Sequence, residues 1–206
     1  MNAAPGAFWK ETPMQLENTI TLDALLERLN AFKKIIVTGP QRSGTTIASR
    51  IIADAMSMPN LDESAVGPGN KAGFFEKIEN ETRFVFQFPN ACEWLQDLAK
   101  YDDIAIVFME RLNEEILASQ ERIAWRGGSP KGYPKYALDK LPEHVASLVD
   151  EDKHLFENRK TVFEIFQRPL LRHCFVLEYG SMKSASAWVK KEDRKNFNPK
   201  QTKVKP

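Results

Sequence analysis

Apolar residues in this chain fall in short runs separated by polar, glycine- and proline-bearing stretches, and the period of each run predicts an element. Leu25, Leu26 and Leu29 recur at helical spacing after Thr21-Leu22-Asp23, with Thr21 suited to cap the first turn. Ile35-Ile36-Val37 predicts a strand over about 33–38, and a helix over about 44–57 follows with Ile47, Ile51, Ile52 and Met56 on one side. Residues 58–73 carry Pro, Gly and Asn and predict a loop, after which Phe74-Phe75 leads toward a short helix. Phe84 to Phe88 predicts a strand stopped by Pro89, and Asn90 is placed to cap a helix over about 91–100. Ile104 to Phe108 is apolar throughout, as in a strand buried on both faces. Then come a helix over about 113–124, an irregular segment over 126–142 and a helix over about 150–167 ending before Pro169. The pattern closes with a strand over Phe175–Tyr179 and a short helix from Ser181 to Val189.

Strands alternating with helices predict an α/β fold: three αβα layers around a central parallel sheet. A length of 206 residues fits one domain, over 21–190, with a loose arm over 1–20 and a basic tail over 191–206. Twenty-nine Lys and Arg against 28 Asp and Glu leave a charge of +1, so nothing draws the whole molecule to nucleic acid and any anion site is local. Cys92 and Cys174 have no metal spacing and read as reduced core residues of an intracellular protein. No apolar segment approaches the length that spans a bilayer, and a cytoplasmic location is expected.

The chemistry concentrates in Gly39-Pro40-Gln41-Arg42-Ser43-Gly44-Thr45-Thr46, between the first predicted strand and the helix after it. Such a turn cradles a phosphate with backbone N–H groups and the helix N-terminus, so the expected α/β fold is of the P-loop nucleotide-binding type. A nucleotide triphosphatase loop carries Lys after its second glycine; here Thr45 stands there and the positive charge is Arg42, three places earlier. Arg111 ends the Ile104–Phe108 strand region, where ligands of open parallel sheets bind, and Ser119 follows a little over two helical turns later.

Arg42-Ser43-Gly44-Thr45-Thr46, together with Arg111 and Ser119 in the run from Arg111 to Ser119, resembles the sulfotransferase family, most closely its short bacterial members. A segment like Gly73-Phe74-Phe75-Glu76 also follows the first helix in those members, and the resemblance covers roughly residues 33–125. It implies 3′-phosphoadenosine-5′-phosphosulfate (PAPS) as sulfuryl donor. Gln41, Arg42, Ser43, Gly44, Thr45 and Thr46 would hold its 5′-phosphosulfate; Arg111 and Ser119 would hold its 3′-phosphate, with Arg194-Lys195 a further basic pair for that phosphate. Arg42 would also neutralise charge in catalysis, and no metal is expected.

The family's cytosolic animal members carry a His on the strand between the two motifs. Gln87 stands there, and His144, His154 and His173 all come later. Glu76, ahead of Glu63, is therefore the expected base. Phe74, Phe75, Tyr133 and Tyr136 either line an acceptor pocket or pack in the core, and the Gly127–Leu141 segment can form a lid. The acceptor is a small molecule, a lipid or a saccharide. Two other readings stay open: a P-loop small-molecule kinase, with Glu110 organising magnesium, and a non-catalytic nucleotide-binding protein, which Gln87 favours.

Overall fold

A computed structural model of the chain describes residues 20–122, 163–164 and 168–189. The expected N-terminal arm, the 126–142 segment with Tyr133 and Tyr136, most of the 150–167 helix and the basic tail with Arg194 and Lys195 lie outside the described residues.

Helix α1 spans Leu22–Leu29, with the Thr21 hydroxyl accepting from the Ala24 amide at 3.4 Å. Strand β1 (Lys34–Thr38) follows, then α2 (Thr45–Ala55), β2 (Asn60–Asp62), α3 (Lys71–Asn80) and β3 (Phe84–Gln87). Next come α4 (Leu95–Leu98), β4 (Ile104–Glu110), α5 (Asn113–Arg122), β5 (Cys174–Glu178) and α6 (Tyr179–Met182). The five strands form a parallel sheet in the order β2-β3-β1-β4-β5.

Side-chain alternation along these strands builds a core on each face. Ile35, Val37, Val85, Ala105, Val107, Met109 and Leu177 meet the buried faces of α1, α2 and α6. Ile36, Phe84, Phe86, Ile104, Ile106, Phe108 and Val176 meet α3, α4 and α5 on the other side. Both faces of the central strands are covered, which is why β1 and β4 read as continuous apolar runs. The result is a three-layer αβα fold of the P-loop type.

Four local expectations are corrected. The 58–73 loop contains the edge strand β2, which pairs through its backbone with β3 and offers a single apolar residue, Leu61, to a pattern search. Helix α3 begins before Phe74, because the Asn70 side chain accepts from the Gly73 amide and caps the turn. The 91–100 helix is a 3₁₀ turn over Pro89–Glu93 followed by the single turn of α4, and Asn90 lies inside the 3₁₀ turn rather than capping. The last helix starts at Tyr179 and ends at Met182, so Ser181 lies within it and its hydroxyl donates back to the Glu178 carbonyl.

Phe74 is fully buried, its ring 4.8 Å from that of Phe88 and 5.4 Å from that of Trp94, so it packs in the core rather than lining a pocket. Phe75 is partly buried and stacks on Tyr101. Both cysteines are free thiols. Cys174 reaches the surface in part, but burial around its sulfur pushes the thiol up to about 12. No helix among the described residues is long and apolar enough to cross a membrane.

Candidate anion-binding site

The chain leaves β1 toward β2 and β3 on one side, and leaves β4 toward β5 on the other. Strand order therefore reverses between β1 and β4, and ligands of open parallel sheets bind in the crevice outside the carboxyl ends at such a point. The loop over 39–44 and the residues after Glu110 both emerge there.

Close approach shapes the loop. Gly39 has φ 136°, and a Cβ there would stand 2.7 Å from the Met109 carbonyl oxygen of the neighbouring strand. Gly44, the N-cap of α2, has φ 103°, and its Cβ would meet the Tyr179 ring at 2.5 Å. The Ser43 amide donates to the Pro40 carbonyl at 3.0 Å and closes the turn, while Ala48 makes the first helical bond, to Gly44. That leaves the amides of Thr45, Thr46 and Ile47 without intrahelical acceptors, at the positive end of the α2 dipole.

Arg42 carries the strain. It is not a glycine, yet its φ is 75°, a left-handed geometry that costs roughly 1–2 kcal/mol for such a residue. Two contacts hold it there. Its Nε donates to the Ser119 hydroxyl on α5 at 3.2 Å, and its carbonyl accepts from Arg111 Nη1 at 3.0 Å. Strain of this kind persists where the surroundings over-determine it, and it collects at ligand clamps.

Arg111 is fixed from three directions. Nε donates to Glu115 at 2.6 Å, Nη1 to the Arg42 carbonyl, and the guanidinium lies 4.3 Å from the centre of the Tyr179 ring. The hydrogen bond from Arg111 holds the Glu115 carboxyl below its ordinary value. Lys183 lies 5.3 Å from the centre of the same ring.

Ser119 is nearly buried and accepts from two guanidiniums, Arg42 Nε and Arg122 Nη2 at 3.3 Å. A hydroxyl has two acceptor lone pairs and one proton, and an arginine only donates. With both lone pairs engaged, the capacity left to Ser119 is its O–H donor. Ser43 is fully buried and its hydroxyl has no partner among the described residues; the same holds for Gln41 Oε1. Thr45 is buried and accepts from Gln87 Nε2 at 3.3 Å. Thr46 is exposed, its carbonyl accepting from Ser49. The crevice thus presents cations, amides and hydroxyl protons, the set that receives a tetrahedral oxyanion.

Arg42, Arg111 and Ser119 are brought into one hydrogen-bonded unit. Glu76 is not part of it: Phe74 and Ile78 turn inward on α3, and Glu76 lies on the exposed face between them. Glu63 directly follows the carboxyl end of β2, on the ligand edge of the sheet. Sequence reasoning missed Tyr179, Glu115 and Arg122. The last two are legible in hindsight, at i+4 from Arg111 and i+3 from Ser119 on one helix; Tyr179 needed β5 beside β4. Among the described residues, no cluster of His, Cys, Asp and Glu is arranged to hold a metal.

No family model matches the chain, and no curated protein matches it. Among solved structures, shikimate kinase from Acinetobacter baumannii in complex with shikimate overlaps 73% of this chain and 86% of its own, with a TM-score of 0.41 and 13% identity.

Proposed function

We propose that this protein is a PAPS-dependent sulfotransferase acting on a hydroxyl or amine acceptor that is a small molecule, a lipid or a saccharide. The observation that carries the reading is the bond from Arg42 Nε to Ser119 Oγ, 77 positions apart in the chain. It joins the residues that the resemblance assigns to the two ends of the donor. The Ser43 hydroxyl, without a partner among the described residues, and the Ser119 proton, left over from its two described bonds, suit a ligand with an anion at each end. PAPS, when bound, supplies a sulfuryl group on a phosphate leaving group.

The chain's own residues would do the rest. Amides of Thr45 and Thr46, the hydroxyls of Ser43 and Thr45, and Arg42 would hold the 5′ end and meet charge developing on its oxygens. Gln41 and Gly44 would frame that grip. Arg111 and Ser119 would hold the 3′-phosphate, with Arg194-Lys195 as further basic contacts. For the acceptor proton, the placement of Glu63 at the strand end favours it over Glu76.

The second reading is a P-loop small-molecule kinase. Glu110, the last residue of β4, favours it as an acid at a strand end beside the loop. Thr45 in place of the P-loop lysine speaks against it. Thermal unfolding with 3′,5′-adenosine bisphosphate and with ATP plus magnesium separates the two. A rise with the bisphosphate alone is expected; a rise with ATP alone makes the kinase correct, and no rise with either sinks both. Sulfuryl transfer across an acceptor library then tests catalysis, and transfer to none favours a non-catalytic nucleotide-binding protein.

A further inference from the structure

Gln87 lies 42 residues from Thr45 in sequence, yet their side chains meet, buried, at the base of the loop. Thr45 occupies the place where a phosphoryl-transfer loop carries its lysine. It is the first residue of α2, and its one described side-chain bond is accepted from Gln87 Nε2 at 3.3 Å. An amide NH₂ only donates, so the Thr45 oxygen is an acceptor in this contact and its proton is left over. A free hydroxyl rotor shares its proton among several directions; one locked as an acceptor does not.

We propose that Gln87 is a positioning residue that sets the polarity of the Thr45 hydroxyl, turning its proton toward an anion in the loop as a neutral substitute for the missing lysine. The proposal rests on the loop being an anion site, as in the function above, and holds for either reading of the donor. It also assigns a role to Gln87 in the position where the family resemblance places a histidine base: the side chain that cannot accept the acceptor's proton instead fixes another proton. Ser119 shows the same logic at the far end of the site, where two guanidiniums rather than an amide force the hydroxyl to donate.

The neighbourhood makes the effect readable. Gln87 pairs across the sheet with Val37 on β1 and with Asp62 on β2; Glu63 follows Asp62, and Arg42 sits in the loop above. Asp62 is in register with it, Glu63 and Arg42 lie on the adjoining segments, and all three are present in every variant below, so the wild-type pH profile accounts for them.

The experiment measures affinity for 3′,5′-adenosine bisphosphate, or for ATP plus magnesium where wild type binds only that, for wild type, Gln87→Met, Thr45→Val and the double variant. Hydrogen bonds to charged groups set the scale at about tenfold or more. Gln87→Met should weaken binding about tenfold, Thr45→Val at least as much, and the double variant no more than Thr45→Val alone, because one residue acts through the other. Gln87→Met that leaves affinity unchanged or tightens it overturns the proposal, as do losses that simply add. Gln87→Glu gives an independent readout that a packing role would not produce. An ionised carboxylate accepts a hydrogen bond from the Thr45 hydroxyl, whereas a protonated carboxyl can donate to it as the amide does. Its affinity should therefore fall well below wild type near neutral pH and recover toward it as pH falls, and a constant ratio across pH counts against the role. If wild type itself binds neither the bisphosphate nor ATP, the anion-site reading fails; if it binds and the variants behave otherwise than stated, this inference alone fails.

Discussion

Arg111 donates from Nη1 to the carbonyl oxygen of Arg42 at 3.0 Å, joining two arginines separated by 69 positions in the chain. The bond holds a non-glycine residue in left-handed geometry and fixes the spacing of two cations across the β1–β4 crevice. Arg111 therefore shapes the loop as well as offering charge.

The first prediction concerns that double role. Arg111→Ala should abolish the thermal shift produced by 3′,5′-adenosine bisphosphate, and Arg111→Lys should recover little of it. Lysine offers a point charge, whereas Arg111 uses a planar fork against Glu115, the Arg42 carbonyl and the Tyr179 ring at once. A ligand at 100 times its dissociation constant adds about 2.7 kcal/mol, which for a chain of this size is a shift of roughly 5–10 °C. A full shift retained by Arg111→Ala removes Arg111 from the ligand site.

Gly39 and Gly44 are both left-handed, but their obstacles differ. An alanine methyl at Gly39 would run into the Met109 backbone, which the sheet holds in place; at Gly44 it would run into the Tyr179 side chain. Gly39→Ala should cost more than about 3 kcal/mol and Gly44→Ala about 2 kcal/mol, combining strained backbone with overpacking. Urea midpoints read the order. Adding Tyr179→Ala should offset part of the Gly44→Ala loss and none of the Gly39→Ala loss. Equal coupling at both positions contradicts this account of the loop.

Much of this site is legible along the chain. Ile35-Ile36-Val37 running into Gly39 and Gly44 announces strand, turn and helix, and the interval from Arg111 to Ser119 places both on α5's approach to the loop. What stays hidden depends on strand order. Gln87 reaches Thr45 because β3 lies beside β1, and Tyr179 reaches Gly44 and Arg111 because β5 lies beside β4. No local period carries those adjacencies. Strand β2 escapes notice for another reason: its pairing is backbone hydrogen bonding and its side chains are polar or half-exposed. The outward placement of Glu76 is legible too, since Phe74 and Ile78 at i and i+4 turn the residue between them outward.

Glu115 gives a pH-dependent prediction. The Arg111 hydrogen bond lowers its carboxyl below the ordinary 4.5, so the pair stabilises the fold above that value and the contribution is lost as pH falls through the lowered one. The side chain is 41% exposed, so solvent screens the pair. Glu115→Gln should cost about 0.3–0.5 kcal/mol near neutral pH, the usual worth of an exposed i,i+4 pair, and nothing once the wild-type carboxyl is protonated. Urea midpoints of both proteins at about pH 7 and about pH 3 check this, and added salt should shrink the neutral-pH gap. A gap that widens on acidification reverses the sign and refutes the assignment.

The last prediction sets stability against binding at a single atom. Ser43 is fully buried, and its hydroxyl meets no partner among the described residues. An unsatisfied buried hydroxyl carries a desolvation penalty of about 1–3 kcal/mol that a methyl group would not. Ser43→Ala should therefore leave the ligand-free protein as stable as wild type or raise its melting temperature by a few degrees. The same change removes a donor from the anion loop, so bisphosphate affinity should fall about tenfold. Stability gained where function is lost is what a hydroxyl retained for a ligand produces. Were Ser43→Ala to destabilise the free protein and leave affinity untouched, the hydroxyl would belong to the scaffold, and the loop would hold its anion through amides and Arg42.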